Sequence, residues 1–263
     1  MKKAPQLAAV LLGLAAVIAV GLGRPEPAGA GTAPVYHPTR LAHVGDARQL
    51  VVVTGRSATS SYATLRTYQL GADGTWTAKF PAMAARTGWH GWVVANKRVQ
   101  GTGTSPQGTF RITTAFGLVK NPGTKLPYRH ADGNDYWVGD PKDPKTYNLV
   151  QPWAAKTRTW RSGEATAERL GAYPTQYAFA AVVDFNRPAA ASVTWNAPHS
   201  EWVTSKPVNV KLGSAIFLHI NGKGSTGGCV SVSKANLLKV LTWLDPAQRP
   251  RIVMAPESEI GAA

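Results

Sequence analysis

Cys229 is the only cysteine of the 263-residue chain, and His219 stands ten positions before it. A thiol with an ordinary pKa of about 8.5 is only a few per cent thiolate at neutral pH. An imidazole beside it takes the proton and holds the thiolate as an ion pair, and a helix N-terminus aimed at the sulfur adds to the effect. Between the two lies Asn221-Gly222-Lys223-Gly224-Ser225-Thr226-Gly227-Gly228, a turn whose glycines let the backbone approach a substrate closely. The amides of Gly227, Gly228 and Cys229 would then form an oxyanion hole. Nucleophile, base and free amides are the parts that acyl transfer needs. The competing reading is an inert packing thiol, the usual state of a lone cysteine.

The elements that must position these residues are mostly strands. Over residues 214–220, Ile216, Leu218 and Ile220 share one face and His219, Phe217 and Ala215 the other. The more apolar face packs inward, which turns His219 toward a cleft. After the cysteine, Ser233 is an N-cap, and Ala235, Leu237, Leu238, Leu241 and Leu244 follow at helical spacing up to Asp245-Pro246. Further strands are expected at 49–54, 63–70, 75–80, 92–95, 109–113, 178–185, 192–195, 208–212 and 251–255, with Asp73-Gly74 as a hairpin turn. Residues 151–170 are mixed in pattern, read as a flap over the cleft with a short helix near 165–170. The expectation is a mainly β sandwich or closed sheet with one helix after the cysteine. The domain limits read as a leader at 1–30, a lead segment at 31–44, one domain at 45–257 and a tail at 258–263.

The N-terminus has the form of an export signal. Lys2 and Lys3 precede an apolar run from Leu7 to Leu22, and Ala28-Gly29-Ala30 offers a small-x-small cleavage site. The apolar run is short for a membrane span. The chain is therefore expected outside the cytoplasm, in contact with a membrane only through that segment if it stays uncleaved. Export favours disulfides, but one cysteine cannot make one within the chain, which leaves an intermolecular bond or a reactive thiol.

With 29 Lys+Arg against 14 Asp+Glu the net charge is +15. For an exported protein that charge suits anionic wall polymers. The basic residues are scattered and no nucleic-acid-binding signature accompanies them, so no nucleic acid partner is expected. His37, His43, His90, His130 and His199 sit apart without metal-ligand spacing, so neither a metal nor a cofactor is expected. Gly101-x-Gly103 lacks the Lys-Ser/Thr and the helix of a nucleotide loop. Trp89, Trp92, Trp137, Trp153 and Trp160 read as packing residues, and Asp140, Asp143 and Glu168 do not read as a glycosidase pair.

Residues 219–229 resemble the active-site motif of the L,D-transpeptidase catalytic-domain (YkuD-like) family, which cross-links bacterial peptidoglycan. In that motif a His on a strand is followed by Ser or Thr, one variable residue and then Gly-Cys. Here these fall on His219, Thr226, Gly227, Gly228 and Cys229. Residues 101–110 resemble the family's Gly-x-x-x-Thr-Pro-x-Gly-x-Phe segment with Ser105 in the Thr place, and Tyr147-Asn148 and Asp184-Phe185-Asn186 resemble its actinobacterial-type members. The resemblance spans residues 45–256. It implies a mainly β fold and a thioester on Cys229 formed with a peptidoglycan stem peptide. D-Ala leaves and a neighbouring stem's amine accepts the acyl group. His219 would be base and then acid, its ring oriented by the Ile220 carbonyl. Thr226, Gly227 and Gly228 would form the active-site turn, and Tyr147, Asn148 and Ser231 would touch substrate. The sequence departs from the family at Ile220, at Gly227 where a His is common, at Ser231 where many members carry Arg, and in a short His-to-Cys interval. Hydrolysis at the same site and a non-catalytic wall-binding module are the competing readings.

Overall fold

The strands vary in length: β1 (Gln49–Gly55), β2 (Tyr62–Leu70), β3 (Trp76–Arg86), β4 (Trp92–Val94), β5 (Ser105–Gly117), β6 (Tyr128–His130), β7 (Tyr136–Val138), β8 (Val150–Gln151), β9 (Ala167–Arg169), β10 (Ala180–Val183), β11 (Val193–Asn196), β12 (Glu201–Thr204), β13 (Phe217–Ile220), β14 (Val230–Val232) and β15 (Arg251–Pro256). Among the described residues one α-helix, α1 (Lys234–Trp243), precedes the last strand. The computed structural model describes residues 34–263 except 155 and 164. The leader expected at 1–30 lies outside the described residues.

The main sheet runs β10-β13-β14-β3-β2-β1-β15-β5, and β5 pairs back onto β10, so the sheet closes on itself. Closure removes the unpaired edges that an open sheet would expose. β4 and β6 both attach parallel to β5. Strand β1 shows how the closed sheet is filled. Val51 and Val53 point into the main core, while Leu50 and Val52 point the other way into a second cluster with Leu41, Ile260 and Ala263. The lead segment and the tail meet there, where the Ala42 amide donates to the Gly261 carbonyl at 2.9 Å.

Two features position the cleft. The first is the parallel pair β13–β14, in which Leu218 faces Val230 and His219 faces Ser231. Ile216, Leu218, Ile220, Val230 and Val232 fill the core on one side, as the period-two pattern predicts. Helix α1 covers that core with Leu237, Val240, Leu241 and Leu244, and the Ser233 hydroxyl caps it by accepting from the Asn236 amide at 3.3 Å. The second is a three-stranded sheet, β8-β7-β9, standing beside the main one. Asp140 is buried there and takes a two-pronged bond from the Arg161 guanidinium.

Four local expectations fail, each for a visible reason. Residues 165–170 form strand β9 and a 3-10 turn instead of a helix, because Ala167–Arg169 pair with β7. Residues 208–212 form a turn, with the Asn209 carbonyl and side chain accepting from the Leu212 and Lys211 amides. The strand expected from 214 starts only at Phe217, since Ala215 sits at φ 57° with its amide turned to Asn148 Oδ1 at 3.1 Å. Strand β3 runs past Phe80 to Arg86, with irregular register against β2 near Thr67.

Asn148 joins the small sheet to the barrel. It is buried at φ 60°, a left-handed conformation that asparagine tolerates. Its Oδ1 accepts from Trp137 Nε1 at 2.8 Å and from the Ala215 amide, and its Nδ2 donates to the Phe185 and Asn186 carbonyls at 3.1 and 2.6 Å. Asn148→Ala leaves buried groups unpaired on three segments, and each such group costs about 1–3 kcal/mol. Denaturant unfolding of this variant is expected to show a loss of about 3 kcal/mol or more, against little change for an exposed substitution such as Lys142→Ala.

Candidate active site

Cys229 immediately precedes β14, and His219 is the third residue of β13. Their register makes them diagonal neighbours on one face of the parallel pair. Both are nearly buried, at 8% and 7% exposure, and both line one chamber of about 470 Å³. Cys229 belongs to a buried cluster with Phe116, Trp137, Tyr177 and Phe217, and the Tyr177 ring meets the His219 ring edge-on at 5.5 Å.

His219 Nδ1 lies 2.8 Å from the Ile220 carbonyl oxygen. A carbonyl only accepts, so Nδ1 carries the proton and Nε2 keeps the free lone pair of a base. Cys229 Sγ donates to the Ala215 carbonyl at 3.2 Å and receives the Phe217 amide at 3.3 Å. Burial pushes the thiol up to about 12, with the Glu168 charge adding to it and the Phe217 amide and Arg98 opposing. Burial likewise lowers His219 to about 4, against the Ile220 carbonyl. Between those values the resting pair is neutral thiol and neutral imidazole, which replaces the ion pair expected from sequence. The expected helix contribution is also absent: strand β14 separates the sulfur from α1, and the amide that reaches it comes from β13.

The turn is held by its own hydroxyl, by a backbone bridge in which the Thr226 amide donates to the Thr87 carbonyl at 2.9 Å and the Thr226 carbonyl accepts from the Trp89 amide at 3.0 Å, and by two side chains from elsewhere. Thr226 Oγ1 donates to the Cys229 carbonyl at 2.6 Å and accepts from the Gly228 amide at 3.1 Å. That bond engages one of the three amides expected in the oxyanion hole, so Gly227 and Cys229 are the donors that remain. Ser105, buried on β5, accepts from the Gly88 amide at 2.9 Å and donates to the Gly228 carbonyl at 2.8 Å. Arg98 is buried and spends its guanidinium on three carbonyls, of Thr104, Leu212 and Gly227. Among the described residues no carboxylate pairs with it. Its charge offsets part of the cost of burying a thiolate at Cys229, and burial lowers its own pKa.

Of the three residues expected to touch substrate, none lines the cleft. Tyr147 is fully buried, Asn148 spends its amide on the scaffold, and Ser231 is covered beside His219 on β14. The lining includes Trp89, Tyr173, Gln176 and Glu168 instead. Sequence reading passed over Arg98, which ends the surface-like run Asn96-Lys97-Arg98, and over Tyr177. Their only sequence signal is indirect, since turn residues at 101–105 must be anchored by something. From the segment read as a flap, residues 162, 163 and 165–169 line an adjoining chamber, and of these only Glu168 also borders the chamber of Cys229.

The fold and cleft together define a closed-sheet domain with a buried Cys-His pair beside a peptide-sized chamber, an arrangement able to pass an acyl group through sulfur. A family model described as the L,D-transpeptidase catalytic domain (YkuD) matches residues 45–253. The chain belongs to that family. No curated protein and no solved structure matches it.

The glycines of the turn are not equivalent. At Gly228, with φ +140°, a Cβ would stand 2.7 Å from the Thr104 carbonyl oxygen, whereas at Gly227 it would make only ordinary contact with the Trp89 ring at 3.5 Å. Gly228→Ala is therefore expected to slow Cys229 acylation by a β-lactam or peptide ester by roughly 100-fold, the scale of an ångström's misplacement, while Gly227→Ala stays within a few-fold of wild type. The neutral resting pair makes a second prediction. Alkylation of Cys229 by iodoacetamide is expected to run at least ~100-fold slower than that of free cysteine at pH 7 and still to climb at pH 10, whereas a plateau below pH 8 would mean a pre-formed thiolate.

Proposed function

We propose that this protein is an exported cysteine acyltransferase of the L,D-transpeptidase type. Its donor is a peptidoglycan tetrapeptide stem and its acceptor an amine on a neighbouring stem. The observation that carries the reading is the Cys229–His219 pair lining one chamber, with Nδ1 tied to a carbonyl and Nε2 left as the base.

The chemistry follows from the neutral starting state. Sγ attacks the carbonyl carbon of the third stem residue while Nε2 takes the thiol proton, so the proton leaves as the C–S bond forms. The negative charge that develops on the carbonyl oxygen meets the Gly227 and Cys229 amides. The tetrahedral species collapses, the C–N bond breaks, and the imidazolium returns the proton to the departing D-Ala amine. The amine of the acceptor then attacks the thioester and passes a proton to His219. The C–S bond breaks and the proton returns to sulfur. Water in place of the amine gives hydrolysis through the same intermediate. The positive surface favours retention among anionic wall polymers, and the N-terminal pattern of Lys2, Lys3 and the apolar run supports export.

Mass spectrometry of the protein mixed with a tetrapeptide stem or a carbapenem tests the reading. A covalent adduct on Cys229 is expected, absent in Cys229→Ala and at least ~100-fold slower in His219→Ala, the scale of general-base catalysis. Retention of a wall fraction with no adduct under any condition would instead identify a binding module.

A further inference from the structure

Glu168 sits on β9 where two chambers meet. It borders the 470 Å³ chamber of Cys229 and a second of about 530 Å³ lined by Tyr136, Trp153 and Arg169. Tyr177, whose ring lies against His219, donates its hydroxyl to Glu168 Oε1 at 2.5 Å. In a chain with twice as many cations as anions, this carboxylate has none of them as an ion-pair partner among the described residues. The adjacent Arg169 is turned away, to the Gly133 carbonyl and Asn134 Oδ1 at 2.8 and 3.2 Å. Arg98, the buried cation of the site, is committed to carbonyls. A partly buried carboxylate with one hydroxyl donor has acceptor capacity to spare, and an ammonium group satisfies it best.

We infer that Glu168 docks the primary ammonium group of a stem peptide's side chain at the junction of the two chambers. This rests on the acyl-transfer reading above. The ammonium can come from the third residue of the donor or from the acceptor. In the acceptor case it gives one proton to the Glu168 carboxylate, and the freed amine attacks the thioester carbon. The C–N bond forms, the C–S bond breaks, and the second proton passes through His219 to sulfur. Burial holds the Glu168 carboxyl above the usual range, against the Tyr177 hydroxyl, which suits a proton acceptor of this kind. It also explains why a charge that raises the thiol pKa is kept near Cys229: a bound ammonium cancels it.

The test compares the full chain with its Glu168→Gln variant. Two tetrapeptide donors differ only in lysine or norleucine at the third residue. Two nucleophiles are a lysine-bearing peptide and hydroxylamine, which is neutral at pH 7. Acylation is read as D-Ala release and Cys229 adduct, and partition as transfer over hydrolysis. If the guest is the donor's ammonium, Glu168→Gln lowers acylation by the lysine donor about tenfold or more and spares the norleucine donor. If it is the acceptor's, acylation is unchanged and transfer to the lysine peptide falls about tenfold or more against hydroxylamine; both figures follow from loss of one charge-assisted bond. Tyr177→Phe keeps the ring and is expected to preserve the ammonium preference. Equal rates for wild type and Glu168→Gln in all four combinations overturn the inference, and so does an equal loss in all four, which marks a merely structural glutamate. A wild-type protein that forms no adduct overturns the acyl-transfer reading itself and this inference with it.

Discussion

Strands β13 and β14 run parallel as direct neighbours, joined by only the nine residues 221–229. Parallel neighbours usually need a longer crossover, often a helix. Here the chain must return the length of a strand through an irregular loop and re-enter the sheet level with Phe217. That constraint accounts for the glycines, for the two side-chain hydrogen bonds of Thr226, and for the anchoring of the turn by Ser105 and Arg98 from outside it. It also sets the chemistry, because the same register that pairs His219 with Ser231 brings Cys229 onto the imidazole's face.

A turn so placed lies deep, and burial then governs its electrostatics. Desolvation disfavours both the thiolate and the imidazolium, moving the two pKa values apart rather than together. Two fixed charges act on the sulfur in opposite senses, Arg98 favouring its anion and Glu168 disfavouring it. Removing Arg98 would strip three carbonyls of their donor as well as a positive charge, so its geometric and electrostatic roles cannot be separated by truncation alone.

The closed sheet was legible because its strands obey rules that need no partner. The largely β-branched run Leu50-Val51-Val52-Val53 reads as a strand, which the structure covers on both faces, and the Asp73-Gly74 turn signals the hairpin that follows β2. The inward face of β13 and the capped helix could be read for the same reason. The small sheet was not legible. Ala167–Arg169 has no strand pattern of its own and becomes a strand only by pairing with β7. The cleft lining failed similarly: Tyr147 and Asn148 carried the family resemblance but stand behind the cleft, where Asn148 ties Trp137, Ala215 and the chain after β10 together. A motif marks residues that must be kept. It does not say whether they face the substrate or hold what does.

The neutral resting pair bears on how a lone thiol endures oxidation. Oxidation follows thiolate character and exposure, and Cys229 has little of either: 8% exposed, its pKa pushed up to about 12, its S–H donating to the Ala215 carbonyl. The same features slow the attack on substrate unless proton transfer and bond formation coincide. Both needs are met if the base is close and uncharged, and if the groups that stabilise the anion are fixed beforehand. His219 held by Ile220, the Phe217 amide on the sulfur and the Arg98 guanidinium beside the turn are fixed in that way. Reactivity then depends on a carbonyl carbon occupying the chamber, so selectivity and protection of the thiol arise from the same burial.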